Sequence, residues 1–78
     1  MRLEITSVQA GLDHHLQLHY NNGETRRFDM RPLLTMKPWN RLLAGELFLR
    51  ATVGYGTVVW PGGLDVAPET LYDDSVAC

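Results

Sequence analysis

Apolar and polar residues alternate along the first third of the chain, which is the pattern of β-strands with one buried face. Within segment 3–12 the alternation keeps its period of two but changes phase after Ile5. We predict a β-bulge near Thr6 or Ser7, because one extra residue in a strand shifts the phase by one position. Segment 14–20 then alternates without interruption and predicts a second strand.

The sequence NNG at positions 21–23 predicts a tight hairpin turn after this second strand. The length of the loop decides which residues pair across it. A two-residue loop would place Leu16 opposite Asp29, a carboxylate on the apolar face, whereas a three-residue loop places Leu16 opposite Phe28. We therefore predict the three-residue loop, with Gly23 in the left-handed conformation.

Helical spacing replaces the alternation from Asp29 onwards. Asp29 is predicted to cap a short helical turn with Pro32 in its first turn, and a second short helix is predicted over segment 38–45. Segments 51–53 and 57–60 return to residues that favour strands. In this second half the chain therefore alternates between short helices and short strands.

A last helical turn is predicted to open at Pro68, so the predicted order of elements is βββ-α-ββ-α. This order indicates an α+β domain, in which a mainly antiparallel sheet of about five short strands packs on short helices. A chain of 78 residues has the length of one small domain, and we predict a single domain over residues 1–78. Trp60 is predicted to lie in its core.

Charge is distributed unevenly along the chain, whose net charge is −2. All seven Lys and Arg residues lie at or before Arg50, together with five acids, whereas the segment after Arg50 has four acids and no base. Such an acidic segment suits a partner with a basic face, although a solvated acidic tail gives the same pattern. The four acids are Asp65, Glu69, Asp73 and Asp74.

The three histidines are the natural candidates for a metal site, but their spacing argues against one. On a strand that rises about 3.3 Å per residue, His15 and His19 share a face about 13 Å apart, and His14 points to the opposite face. A zinc ion holds its ligands at about 2 Å. We predict solvent-facing strand histidines and no metal or other cofactor.

No residues form a recognisable catalytic set, so we predict that the protein is not an enzyme. Ser7, Ser75 and Cys78 lack a motif that would pair a nucleophile with an oriented base. Cys78 is the one cysteine, which excludes an internal disulfide, and neither an export signal nor an apolar run of about 20 residues is present. These features favour a cytoplasmic protein that is not inserted in a membrane.

A second functional hypothesis uses the basic residues of the first half. Arg26, Arg27 and Arg31 lie near Tyr20 and Phe28, a combination typical of nucleic-acid contacts. This alternative is a DNA-associated transcriptional regulator that acts as a dimer or with a partner. The sequence pI of about 5.8 argues against it, because domains that bind phosphate backbones alone are usually much more basic.

Two separated blocks of sequence resemble a small bacterial family of domains of unknown function. The first block contains N-G-E, then F-D, then P-L-L, and the second reads G-T-V-V-W-P-x-G-x-D-x-x-P-E-T-L-Y, with Gly62 standing where the family usually has Asn. In this chain the blocks are Asn22, Gly23, Glu24, Phe28, Asp29, Pro32, Leu33 and Leu34, followed by Gly56, Thr57, Val58, Val59, Trp60, Pro61, Gly63, Asp65, Pro68, Glu69, Thr70, Leu71 and Tyr72.

The resemblance implies a partner rather than a reaction. Genes of this family often lie beside a second small gene for a toxin-like protein, and members are proposed to be antitoxin-like. Some relatives continue into a helix-turn-helix domain, which suggests regulation. The resemblance thus favours a binding protein that masks a small basic partner from the neighbouring gene.

The predicted interface combines the acidic segment with one aromatic residue. Tyr72 is the expected aromatic anchor of this surface. Asp65, between two turns, is also expected to accept backbone N–H groups and hold the C-terminal segment in shape. Exposed sheet edges are in addition compatible with a homodimer. The expected interface residues are Asp65, Glu69, Tyr72, Asp73 and Asp74.

Overall fold

The computed structural model describes residues 2–78, which form strands, short α-helices and 3₁₀ helices. The elements follow the alternation and the turn residues of the sequence closely. In chain order they are strands β1 Ile5–Ala10, β2 His15–Tyr20 and β3 Thr25–Asp29, helix α1 Arg31–Leu34, 3₁₀ helices Trp39–Leu43 and Leu47–Arg50, strands β4 Thr52–Gly54, β5 Thr57–Trp60 and β6 Leu64–Val66, helix α2 Pro68–Asp73, and strand β7 Val76–Ala77.

The strands form two antiparallel sheets, which confirms the predicted α+β class. The larger sheet has the order β1-β2-β3-β7 and the smaller one the order β4-β5-β6. Strands β6 and β7 were not predicted. They have three and two residues, which is too short for a period of two to be recognised in the sequence.

The predicted bulge and hairpin are confirmed. The pairing of β1 with β2 shifts its register between Ile5 and Ser7. Across the β2–β3 hairpin Leu16 lies opposite Phe28, and Gly23 has a φ of 89° in the turn. The three-residue loop therefore places apolar residues of both strands on the same face.

One hydrophobic core joins both sheets and the helices. The inner face of the larger sheet packs against side chains of the smaller sheet and of every helical segment. Trp60 lies in this core, where its indole N–H donates a hydrogen bond of 3.0 Å to the carbonyl oxygen of Phe48. The buried core residues are Ile5, Leu16, Leu18, Tyr20, Phe28, Met30, Leu34, Leu42, Phe48, Val58, Trp60, Leu64, Val66 and Leu71.

The middle of the chain is less regular than predicted. Instead of one helix over segment 38–45, the structure has the 3₁₀ helix Trp39–Leu43 and a second one at Leu47–Arg50. Gly45, with a φ of 59°, separates them. Pieces of four or five residues are the usual length of 3₁₀ helices. The segment thus turns twice over the core instead of forming one continuous helix.

The peptide group between Glu4 and Ile5 joins the two sheets. Its carbonyl oxygen accepts a hydrogen bond of 2.9 Å from the N–H of Asn21, beside the β2–β3 turn. Its N–H donates a hydrogen bond of 2.9 Å to the carbonyl oxygen of Gly56, in the β4–β5 turn. Both hairpin turns therefore lie at the same end of the molecule, which we call the turn end.

Within the described part of the chain, no helix is long and apolar enough to cross a membrane.

Candidate functional site

Helix α2 carries two of the acids predicted to form the interface. Glu69 lies in its first turn, and Asp73 follows four residues later, so both carboxylates lie on one exposed face. Leu71 on the inner face is fully buried and fixes the helix to the core. Negative charge in the first turn is favourable, because the N-terminus of a helix carries partial positive charge.

Asp65 does not join the face of α2. It lies on β6 opposite Val59, and its side chain is exposed. We predicted that its carboxylate holds the C-terminal segment in shape. In the structure the contact is made by its main-chain carbonyl oxygen instead, which accepts a hydrogen bond of 3.1 Å from the indole N–H of Trp39. Asp65 thus belongs to the edge of the smaller sheet.

Asp74 lies just outside the helix that carries the other two acids. It follows α2 and lines a shallow depression on the outer face of the larger sheet, together with His15, Arg27 and Asp29. The acids predicted as one interface therefore divide into a pair on α2 and two single residues.

Tyr72 lies against the β2–β3 hairpin. Its ring meets that of Tyr20 edge to face, with ring centroids 5.2 Å apart, and the guanidinium of Arg26 lies 4.2 Å from its centroid. Its hydroxyl donates a hydrogen bond to the carboxylate of Glu24. The residue predicted as an anchor for a partner is thus half-buried, and these contacts attach α2 to the hairpin.

Arg26 connects β3 to the end of the chain. Its Nε donates a hydrogen bond of 2.6 Å to the hydroxyl of Ser75, a second nitrogen reaches the carbonyl oxygen of Ser75 at 3.1 Å, and a third reaches Glu24 at 3.0 Å. The Arg26 side chain is only 15 % exposed. Its guanidinium is therefore committed to contacts within the fold.

The other two arginines of the predicted basic cluster are also paired with acids. Arg27 lies 2.6 Å from Asp13, and Arg31 lies 2.8 Å from Asp29. The hydrogen bonds from Arg31 hold the pKa of the Asp29 carboxyl well below its usual range. Because Arg26 and Arg27 are successive strand residues, they point to opposite faces of the sheet. The three arginines do not form one basic surface.

The motif residues near the first helix have the structural role expected of them, with one change. The carboxylate of Asp29 accepts a hydrogen bond of 3.0 Å from the N–H of Arg31, the first residue of α1. The N-cap position itself is occupied by Met30, one residue later than predicted. Pro32 lies in the first turn, where its missing N–H has no helical partner to lose.

The two turns of the motif blocks are shaped by local contacts and by glycine. Asn22 accepts a hydrogen bond of 3.0 Å from the N–H of Glu24, and its amide donates one of 2.7 Å to the Glu24 carboxylate. After Pro61, the consecutive residues Gly62 and Gly63 have φ values of 93° and 81°. The second turn therefore needs two residues that tolerate positive φ before β6 can pair with β5, and glycine adopts this conformation most easily.

The histidines do not share one environment, which corrects the prediction of strand histidines that all face solvent. His14 precedes β2 with a φ of 63°, and its ring contacts that of Phe48 at a centroid distance of 5.4 Å. His15 lies 3.4 Å from Asp13 and 3.9 Å from Asp29. Among residues 2–78, no three His, Cys, Asp or Glu side chains are placed to hold a metal ion.

Exposed apolar residues occur at two places that the sequence analysis did not single out. A groove of about 200 Å³ lies between the β1–β2 loop and the 3₁₀ helices, and it is bordered by the exposed Leu12, Leu43 and Leu49. Tyr55, at the tip of the β4–β5 hairpin, is 99 % exposed. The sequence GYG between two strands was a signal for the turn, but not for the exposure of its tyrosine.

The architecture defines a small α+β domain of two antiparallel sheets, with an acidic helix fixed beside a hairpin. The chain belongs to a family described as proteins of unknown function, DUF2442, and the model of that family matches residues 5–77. This assignment confirms the resemblance to a family of domains of unknown function. No match was found among curated proteins or among solved structures.

Proposed function

We propose that this protein is a non-enzymatic, antitoxin-like binding protein that masks a small basic protein partner. The observation that carries the proposal is the exposed carboxylate pair of Glu69 and Asp73 on one face of α2. A partner with a basic face finds there two charges that are held by a packed helix, and charge complementarity speeds the encounter and favours the correct partner.

The attachment of α2 supports this role. The helix is held on its inner face by the buried Leu71, and at its first residue by Pro68, whose carbonyl oxygen accepts a hydrogen bond of 3.2 Å from the hydroxyl of Tyr20. Tyr72 attaches the last turn of the helix to the β2–β3 hairpin. Because the helix is already ordered in the free protein, binding loses less conformational entropy than it would with a mobile segment.

The proposal includes a cytoplasmic location and a partner encoded by the neighbouring gene, as the family resemblance implies. Cys78 is exposed, and a free exposed thiol suits a reducing compartment. Since Asp65 lies on β6 and Asp74 follows the end of α2, Glu69 and Asp73 are the carboxylates that α2 contributes to the proposed interface.

The experiment is co-expression of the tagged chain with the protein encoded by the neighbouring gene, followed by co-purification and a growth assay. We expect the two proteins to purify together, and we expect the tagged chain to relieve toxicity. The double reversal Glu69→Lys/Asp73→Lys should slow association and reduce its dependence on salt. Glu46→Lys/Asp65→Lys is the control, since it makes the same change of charge at exposed residues outside this face.

Two results would count against the proposal. An association rate and salt dependence unchanged by Glu69→Lys/Asp73→Lys would remove the interface from α2. A neighbouring protein that neither binds the chain nor inhibits growth would remove the antitoxin-like function itself.

A further inference from the structure

Tyr55 occupies an unfavourable position for the isolated fold. It has a φ of 54° and Gly56 has a φ of 76°, so both central residues of the β4–β5 turn are left-handed, as in a type I′ turn. Such turns favour Asn-Gly, because a Cβ is strained at positive φ and the short polar side chain of asparagine offsets this strain through local hydrogen bonds. A tyrosine at this position therefore needs a reason other than the geometry of the turn.

The packing of Tyr55 does not supply that reason. Its side chain is 99 % exposed, so almost no apolar area is removed from water when the chain folds. His14 is the other non-glycine residue with positive φ among residues 2–78, and its ring packs on Phe48 at 5.4 Å. The strain at His14 is offset by a contact in the fold, whereas the strain at Tyr55 is not.

The turn that carries Tyr55 adjoins the acidic side chain of Glu4. The carboxylate of Glu4 lies against Gly56, so close that a methyl group added to the glycine would come within 2.5 Å of its oxygen. The main-chain carbonyl of Glu4 accepts a hydrogen bond from the N–H of Asn21, in the neighbouring β2–β3 turn. Beside that turn, the carboxylate of Glu24 accepts a hydrogen bond from the hydroxyl of Tyr72 in α2. Glu4 thus lies between the two hairpin turns of the turn end, and the second of these turns is attached to α2 through Glu24 and Tyr72.

Strained residues that pack on nothing in their own fold are characteristic of sites that act on other molecules. Tyrosine is among the residues that contribute most to protein–protein binding, since it buries a large rigid ring and loses few rotamers. A fully exposed tyrosine at the tip of a tight hairpin has the shape of a side chain that inserts into a pocket.

We propose that Tyr55 is the aromatic anchor through which this protein docks its basic partner, and that its ring enters an apolar pocket of that partner. The inference rests on the proposed function and deepens it. The sequence analysis expected Tyr72 to be the aromatic anchor, but its side chain makes contacts within the fold. We therefore assign the anchor to Tyr55, at the turn end. Glu4, whose carboxylate lies against the next residue Gly56, provides the negative charge that a basic rim around such a pocket would meet.

The test uses Tyr55→Asn, which restores the preferred Asn-Gly turn and removes the ring. We expect two opposite effects from this one substitution. The isolated chain should melt at a temperature about 4 °C higher, because the turn is relieved of strain. Its affinity for the protein encoded by the neighbouring gene should fall at least about tenfold, measured by titration calorimetry with the two purified proteins.

Leu12→Asn is the matched control. Leu12 is 87 % exposed and lies in the β1–β2 loop, beyond the end of β1 opposite to the turn end. The control removes a similarly exposed apolar side chain, so it separates a specific anchor from a general loss of surface hydrophobicity. Its affinity for the same protein should stay within about twofold of the unmodified chain.

The outcomes separate this inference from the proposed function. If the unmodified pair binds and Tyr55→Asn binds equally well, the anchor is refuted while the binding function stands. The anchor is also refuted if Leu12→Asn loses as much affinity as Tyr55→Asn, or if Leu12→Asn alone loses affinity. Either result would place the interface at the apolar groove. A lower melting temperature for Tyr55→Asn would show that the ring serves the fold. If the unmodified chains do not bind, the proposed function fails, and this inference fails with it.

Discussion

The hydroxyl of Tyr72 donates a hydrogen bond to the carboxylate of Glu24, from which it is separated by 48 positions in the sequence. The two residues belong to the two separate blocks that resemble the family. Each block therefore supplies one half of the joint between the β2–β3 hairpin and α2. The hydrogen bond lowers the pKa of Glu24 and raises that of Tyr72.

The joint should be detectable as coupling between the two side chains. We expect Glu24→Ala and Tyr72→Phe each to lower the melting temperature, and the double variant to lose clearly less than both losses together. Thermal unfolding of the four proteins at pH 7 measures this. Strictly additive losses would mean that the two side chains do not interact in solution.

The same contact predicts the response to acid. Because the folded-state pKa of Glu24 is lowered, its contribution to stability is present above the ordinary glutamate pKa of about 4.3 and is lost as the pH falls through the folded value. Tyr72→Phe should therefore lose less stability than the unmodified protein between about pH 5 and pH 2. Urea unfolding at a series of pH values tests the difference. Parallel curves for the two proteins would contradict the prediction.

Tyr20 predicts a loss of stability in alkali. Burial raises its pKa to about 12, while an unfolded tyrosine titrates near 10. A raised folded-state pKa contributes stability that is complete below about pH 10 and is lost as the pH rises towards 12. Tyr20→Phe should be less stable at pH 8 by about 1 kcal/mol, since it lacks the hydrogen bond to Pro68, and its stability should decline less above pH 10.

Absorbance of tyrosinate between pH 8 and 13 provides the direct measurement for Tyr20. The late part of the titration, to which Tyr72 also contributes, should lose one tyrosine in Tyr20→Phe. If Tyr20→Phe instead loses a tyrosine that titrates near pH 10 and keeps the late part of the curve, the assignment of the late titration to Tyr20 is wrong.

Local pattern was enough to predict strands β1, β2 and β3 of the larger sheet. The alternation of segment 14–20 fixes which residues face the core, and Gly23 fixes the loop, so the pairing of Leu16 with Phe28 follows from the sequence. Strand β7 did not follow, because its partner β3 is distant in sequence. Strand β6 pairs with the neighbouring β5 and was missed because three residues are too few to show an alternation. The sequence revealed neither the division of the one expected sheet into two nor the Glu4–Ile5 peptide group that joins them, because main-chain hydrogen bonds leave no trace in a pattern of side chains.

For the candidate site, the sequence indicated which residues to consider but not how they are arranged in space. The acidic segment and the family blocks identified α2, but spacing alone did not show that Asp65 and Asp74 leave its face. The basic residues of β3 appeared as a cluster, since the sequence does not reveal which guanidinium meets which carboxylate. Tyr55 was missed because a turn pattern defines backbone conformation and says little about what the side chain contacts.

The two tryptophans should differ sharply in what their indole N–H groups contribute. Trp60→Phe leaves the buried carbonyl of Phe48 without its partner and removes core volume, so we expect a loss of about 2–4 kcal/mol. Trp39→Phe frees the Asp65 carbonyl of the edge strand β6, where water can replace the indole, and should cost about 1 kcal/mol or less. Urea unfolding followed by circular dichroism compares them, and equal losses would contradict this difference.

The pairing of the arginines predicts weak contact with nucleic acid. Arg26, Arg27 and Arg31 each hold a carboxylate at 3.0 Å or less. We expect no salt-dependent binding to a 20-base-pair duplex at 50 mM salt, measured by fluorescence anisotropy. The stabilising role of Arg26 should appear instead as a lower melting temperature for Arg26→Ala. Binding that weakens steeply as salt is added would favour the regulator hypothesis.

Hydrogen exchange at the Glu4–Ile5 peptide group reports whether the two sheets stay joined. Its carbonyl faces one sheet and its N–H faces the other, so the amide proton of Ile5 exchanges with solvent only when the hydrogen bond to Gly56 opens. If the smaller sheet detaches while the larger one stays folded, this proton exchanges faster than those of β2. If the two sheets unfold together, the rates agree, and the hairpin that carries Tyr55 moves as one body with the rest of the protein.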